Sequence, residues 1–174
     1  GEQGLYKTTW FNFLLPPELR CYFYTKTNSD RLNKDDLFSL TEFALICFEE
    51  LDGMRPAELN QLKAMVTMPY VNERAAYGRN KERHPHIASF CGTGNNVQFL
   101  TDPTGNRRWL PFEVSQIRDP HLHAIPYELV YSQAYALWKS GFCHWFSQEE
   151  IRKLNMHNSR FEVPNLEEDL IRTH

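Results

Sequence analysis

Apolar residues run unbroken through Phe43-Ala44-Leu45-Ile46-Cys47-Phe48 and give way at once to Glu49-Glu50-Leu51-Asp52-Gly53. An apolar run this short, with no alternation, predicts a strand buried on both faces, because a half-exposed strand alternates and a helix needs more length. Around it the pattern changes period. Residues 8–15 predict a short helix stopped by Pro16-Pro17, and Cys21-Tyr22-Phe23-Tyr24 predicts a strand. Asn33 is placed to cap a helix with Asp35 and Asp36 in its first turn and Leu37, Phe38 and Leu40 inward. Pro56 opens another, in which Leu59, Leu62, Met65 and Val66 share one face. Pro69-Tyr70-Val71 and Ile87-Ala88-Ser89-Phe90-Cys91 predict strands, and Arg107 to Phe112 enters a further one. Residues 126–138 predict a long helix ended by Ser140-Gly141, with Leu129, Val130, Ala134, Tyr135, Leu137 and Trp138 largely inward. Ser147 and Glu150 form a capping box for a helix through Leu154, and residues 165–169 begin a last one. Strands alternating with helices indicate an α/β class.

Length and composition narrow this picture. A chain of 174 residues, 41% hydrophobic and 14% aromatic, is a globular domain with a real core. The formal charge of -3 gives no global attraction to nucleic acid, so such binding requires a local basic patch. No run approaches membrane-spanning length and no signal peptide is evident, so a protein with no membrane partner is expected. The cysteines (Cys21, Cys47, Cys91, Cys143) are scattered, which suits a reducing cytoplasm, and Cys47 and Cys91 read as small core residues. His84-Pro85-His86 and His121-Leu122-His123 lack a third ligand at plausible spacing for a metal site.

The chemistry gathers at a few points. Residues 1–8, Gly-Glu-Gln-Gly-Leu-Tyr-Lys-Thr, follow the phosphate-loop template at Gly1, Lys7 and Thr8, with Gly4 adding backbone freedom. Such a loop needs bare N–H groups round a phosphate, a lysine for the β/γ oxygens and a hydroxyl on Mg²⁺. Tyr6 replaces the second template glycine, whose conformation is costly for a residue with a Cβ. The strand that leads into such a loop is expected upstream in a longer parent, unless Gly1 is a remnant of a shortened domain. Glu49 and Glu50, at the end of the buried strand, sit where open α/β sheets place ligand chemistry. One acid there holds Mg²⁺ through water while its neighbour orients or deprotonates the attacking water; an ordinary acidic loop is the plainer alternative. Arg79, Lys81, Arg83 and His84, mixed with Tyr77, offer cations for phosphates and a π-face for bases, as a single-stranded nucleic-acid path requires; a solvated hairpin would look the same. Asn95, just after a strand, can hold the attacking water or simply belong to a Gly/Asn turn. Arg107 or Arg108 can be a surface cation or an arginine finger.

The order of these signals is more specific than any one of them. Glu50-Leu51-Asp52-Gly53, Lys63-Ala64, Ala75-Ala76-Tyr77-Gly78-Arg79, Thr93-Gly94-Asn95 and the string from Phe99 to Trp109 with its Asp102-Pro103-Thr104-Gly105-Asn106-Arg107-Arg108 core carry the match, joined more loosely by Gly141 to Trp145 before Glu149-Glu150. Together the chain resembles the virulence-associated protein E family, which is similar to the superfamily-three helicases within the AAA+ class. The resemblance implies a three-layer P-loop NTPase core over residues 1–120, N-terminally truncated, with a small helical extension over residues 121–174. It further implies an ATP-dependent (or other NTP-dependent) helicase or translocase on single-stranded DNA in a phage or mobile element. That motor would work as a homo-oligomeric ring, with a primase domain possible upstream. Gly1, Gly4, Lys7 and Thr8 would bind nucleotide, and Thr8 and Glu49 would hold Mg²⁺, the acid through water. Glu49, Glu50, Asn95, Arg107 and Arg108 would be catalytic, Glu50 being the better match of the acidic pair and one arginine acting across a subunit boundary, and Arg79, Lys81, Arg83 and His84 would face DNA. A non-catalytic nucleic-acid- or protein-binding module that keeps the fold is the alternative, and Tyr6 favours it. Little or no ATP turnover is expected of the fragment alone.

Overall fold

A computed structural model describes residues 6–27, 33–73, 80–101 and 106–164. Gly1, Gly4, Arg79, the Asp102–Gly105 part of the arginine string and the acidic stretch at residues 165–169 lie outside the described residues.

The predicted interior strand is β2 (Leu45–Phe48), buried at every position. It is flanked in parallel by β1 (Phe23–Lys26) and β5 (Ser89–Gly92), giving the order β1-β2-β5. The register pairs Phe23 with Leu45 on one side and Leu45 with Ser89 on the other. A strand between two parallel neighbours and covered on both faces has no solvent side, which is why the sequence shows no alternation there. β1 and β2 are joined through α2 (Lys34–Glu42). β2 and β5 are joined through α3 (Pro56–Val66) and an antiparallel pair, β3 (Tyr70–Glu73) and β4 (Glu82–Pro85). The result is a mixed α/β fold with a small parallel sheet and helices.

Leu40, Ile46, Phe48, Leu51, Leu59, Leu62, Met65 and Val71 make the core, with Trp109 packed against it. Leu59, Leu62 and Met65 are the predicted inward face of α3. Asn33 caps α2 as expected, its side chain accepting from Asp35 N and Asp36 N while the Asp36 carboxylate accepts from Asn33 N. Asp36 also forms a buried ion pair with Lys26 at 2.8 Å.

Several expectations are corrected. α1 covers Lys7–Asn12 and ends short of Leu15, because the residue before a proline is pushed out of helical geometry and the chain leaves the helix in turns. Residues 21 and 22 finish a 3₁₀ turn, Pro17–Tyr22, so β1 begins two residues later than Cys21. The basic run itself supplies a strand that the pattern did not predict, β4, which pairs with β3, and the predicted strand ending near Cys91 lies in the parallel sheet. Arg107 and Arg108 lie in a 3₁₀ turn, Asn106–Arg108, rather than opening a strand.

α4 (Tyr127–Lys139) is shifted by one residue from the expected 126–138 and has no buried residue. It is fastened by polar tips: the Tyr127 hydroxyl donates to Phe13 O at 2.6 Å and the Tyr131 hydroxyl to Leu14 O at 3.0 Å. Leu129 and Trp138, expected inward, are 72% and 71% exposed. Apolar spacing marks a helix face without saying what covers it. α5 (Gln148–Asn158) opens on the Ser147–Glu150 capping box and runs four residues past Leu154. The Glu150 carboxylate is held below the usual range by hydrogen bonds from the Ser147 backbone and hydroxyl.

Candidate functional site

The carboxyl end of β2 stays paired with those of β1 and β5 beyond the strands proper. Glu49 N donates to Lys26 O, Thr93 N to Phe48 O and Leu51 N to Thr93 O, each at 2.9 Å. Those bonds bring the loop after β5 beside the turn after β2. Directly after Glu49 the chain swings away, because Glu50 takes a left-handed conformation with φ 55° and opens the 3₁₀ turn Leu51–Gly53. Glu49 is therefore left facing α1 while the exposed Glu50, the acid expected to match the site better, turns into solvent, so it is Glu49 that meets the opening residues.

Three hydrogen bonds close the site. The Thr8 hydroxyl donates to Glu49 Oε1 at 2.7 Å. Lys7 Nζ donates to Gly94 O at 2.7 Å and to Asn95 Oδ1 at 2.9 Å. Residues from three distant parts of the chain thus meet at one sheet edge: Lys7 and Thr8 from α1, Glu49 from β2, Gly94 and Asn95 from the loop after β5. Charge-assisted bonds of this kind contribute about 1.5–3 kcal/mol when buried and less at a partly exposed site.

Backbone strain falls at the same place. Tyr6 and Glu50 are the non-glycine residues with positive φ among the described residues, at 52° and 55°. Each is next to a site side chain, Lys7 or Glu49. For residues with a Cβ this region costs roughly 1–2 kcal/mol, and such strain persists where surrounding contacts fix it.

Asp52 is a participant the sequence reading did not assign. Its Oδ1 accepts from Asn95 N at 3.2 Å and its Oδ2 from Asn96 N at 3.1 Å, so one carboxylate grips two successive amides of the loop. Gly94 lies close to the same carboxylate: a Cβ there would lie 2.8 Å from Asp52 Oδ1, so a side chain at this position would push the carboxylate off its two amides. The Asp52-Gly53 pair following two glutamates was the available signal, but it reads equally as turn chemistry.

The remaining candidates are spread out. Arg107 and Arg108 are both exposed, and Arg108 lines an open, largely apolar cleft of about 1180 Å³ together with Lys7, Asp52 and Gly94. Arg83 and His84 lie on β4 and Lys81 just before it, in a two-stranded sheet separate from the parallel one that carries the site. The Arg83 guanidinium sits 3.6 Å over the exposed Tyr70 ring of β3, and His84 lies 3.5 Å from Glu82. Among the described residues no group of three or more His, Cys, Asp or Glu could hold a metal ion by itself. No helix among them is long and apolar enough to cross a membrane. Cys47 and Cys91 are register partners across β2 and β5, and the adjoining Cys47 thiol together with burial pushes the Cys91 thiol far up.

A small α/β domain with a polar site at the carboxyl edge of its parallel sheet is the class that fold and site define. The family model of the virulence-associated protein E-like domain matches residues 1–163. The chain belongs to that family. A comparison with curated proteins gives no match.

Proposed function

We propose that this domain is a P-loop-type nucleoside triphosphatase of the AAA+ class, driving movement along single-stranded DNA. The observation that carries the reading is the meeting of Lys7 and Thr8 with Glu49 and Asn95 at one sheet edge. A lysine, a hydroxyl, a carboxylate and an amide are the set that phosphoryl transfer to water needs, because that reaction is governed by positioning and charge rather than covalent chemistry.

Each side chain has a role in this reading. Lys7 Nζ neutralises the β/γ oxygens of ATP, exchanging its present carbonyl partners for phosphate. Glu49 accepts a proton from, or orients, the attacking water, and Asn95 holds that water through its amide. Glu50, exposed and strained, is the second carboxylate of the pair. The Thr8 hydroxyl and the Glu49 carboxylate, 2.7 Å apart, are hard oxygen donors of the kind Mg²⁺ takes beside substrate phosphates. When bound there, Mg²⁺ supplies charge stabilisation to the transferring phosphoryl group. Arg108, on the cleft shared with Lys7, is the better placed of the two arginines to meet phosphate, and Arg107 is free to reach a neighbouring subunit. Gly1 and Gly4 complete the phosphate loop.

The DNA-facing surface in this reading is the β3–β4 hairpin with Arg79, Lys81, Arg83 and His84. The Arg83–Tyr70 stack supports it, offering a base a preformed cation and ring. A ring assembly would account for the uncovered apolar residues of α4. A second reading, a nucleic-acid- or protein-binding module without hydrolysis, draws support from Tyr6, which stands where the phosphate-loop template has a glycine.

DNA-stimulated ATP turnover in the polypeptide that carries this domain separates the two. Lys7→Ala and Glu49→Gln should each lower it by at least about tenfold. Turnover unchanged by both substitutions rules out the motor. Removing charge at Arg79, Lys81 and Arg83 should weaken DNA binding and flatten its salt dependence.

A further inference from the structure

The arginine-bearing turn is held by an arrangement of buried amides that the phosphate chemistry does not touch. Asn158, the last residue of α5, is fully buried, and its Nδ2 donates to Asn106 O at 2.8 Å and to Trp109 O at 3.1 Å. One amide nitrogen with two hydrogens thus satisfies the carbonyls on both sides of Arg107 and Arg108. Trp109 N donates back to Asn106 O at 3.0 Å, closing the turn. Asn106 is itself 2% exposed, and its Nδ2 donates to Glu162 Oε1 at 2.7 Å. Glu162 is tied in turn to Leu100 by a parallel bridge. The turn is therefore fixed from two sides while Arg107 and Arg108 project outward.

This is a costly way to make a turn. Asn106 Oδ1, Asn158 Oδ1 and Trp109 Nε1 are buried with no hydrogen-bond partner among the described residues. Unsatisfied buried groups are destabilising, and apolar packing would hold α5 to the turn without them. What the amides add is direction: a carboxamide reading two carbonyls three residues apart permits one turn geometry and hence one exit for the arginines.

We propose that Asn158 is a positioning residue for Arg108, setting the Asn106–Arg108 turn so that the guanidinium faces the cleft it shares with Lys7. This rests on the reading of that cleft as a phosphate site. Asn158 touches no substrate and acts through the turn. Leu is excluded at the position because it donates nothing, and Asp because it would set a carboxylate against two carbonyl oxygens.

The experiment is a double-mutant cycle on nucleotide affinity, with fluorescent ATP and ADP analogues and Mg²⁺ as probes. The proteins are wild type, Lys7→Ala, Arg108→Ala, Asn158→Asp and the Arg108→Ala/Asn158→Asp pair. Arg108→Ala and Asn158→Asp should each weaken the ATP analogue by about tenfold and the ADP analogue much less. The pair should lose about tenfold as well, rather than about a hundredfold, because the second change removes nothing the first left in place. Multiplicative losses, or equal losses for both analogues, overturn the proposal, since general loosening predicts both. Should Asn158→Asp not fold, Glu162→Ala replaces it in the cycle and the same two criteria apply. Binding that Lys7→Ala does not reduce overturns the phosphate-site reading and this inference together. Lys7-dependent binding with a multiplicative pair overturns this inference alone.

Discussion

Tyr6 offers a test of the site's strain that does not depend on any activity. Its φ of 52° and ψ of 23° place it in the left-handed region immediately before Lys7. At an ordinary helical or extended position, replacing Ala by Gly costs about 0.5–1 kcal/mol through unfolded-state entropy. In the left-handed region Ala instead carries roughly 1–2 kcal/mol of steric cost that Gly does not. Comparing Tyr6→Gly with Tyr6→Ala cancels the loss of the ring, which is half-exposed. The difference should favour glycine by about 0.5–1 kcal/mol, the reverse of the usual order. With a urea m-value of about 2 kcal/mol/M, the unfolding midpoint of Tyr6→Gly should lie roughly 0.3–0.5 M above that of Tyr6→Ala. Urea titrations followed by tryptophan fluorescence measure this directly. Equal midpoints, or a higher one for Tyr6→Ala, would show that residue 6 is not held left-handed and that the chain enters Lys7 by another route.

Further outcomes follow from individual contacts. Asp52→Ala removes both acceptors for the Asn95 and Asn96 amides. It should lower stability by about 1–2 kcal/mol and speed exchange of those two amide hydrogens, whereas unchanged exchange would show that the loop is not held there. Asp36→Asn removes the buried carboxylate that Lys26 pairs with at 2.8 Å and should cost about 1.5–3 kcal/mol. Lys26→Met/Asp36→Leu should recover much of that in chemical denaturation; a pair no more stable than the single variant would contradict it. Because Cys91 keeps its proton and Cys47 is buried, iodoacetamide at pH 8 should modify Cys21 and Cys143 well before either. Mass spectrometry showing early Cys91 modification would overturn that. As pH falls through the depressed Glu150 pKa, the capping-box stabilisation of α5, present above the ordinary carboxylate range, is lost.

How far the sequence discloses the molecule depends on whether a feature is local. The β2 strand, the Asn33 and Ser147 caps and the Pro56 helix start were legible because a few neighbouring residues decide each of them. The pairing of β3 with β4 was not, since the basic run lacks apolar alternation and register is set by its partner. The α4 face misled for a related reason: period 3.6 identifies an apolar stripe, and only tertiary structure shows that two tyrosine hydroxyls rather than the stripe dock it. At the site, Lys7, Thr8, Glu49 and Asn95 could be named from the order of motifs. Asp52, Asn106 and Asn158 could not be given roles, because amides and turn acids carry no spacing signal and act through backbone groups that only folding brings near.

The central claim is that Lys7, Thr8, Glu49 and Asn95 form one phosphate-handling site. Isothermal titration of Mg²⁺–ATP into the domain, with and without Lys7→Ala, tests it most directly. The account predicts saturable binding that requires Mg²⁺ and weakens by at least about tenfold on losing the lysine. Binding of equal strength without Lys7, or none in the polypeptide that carries the domain, would contradict it.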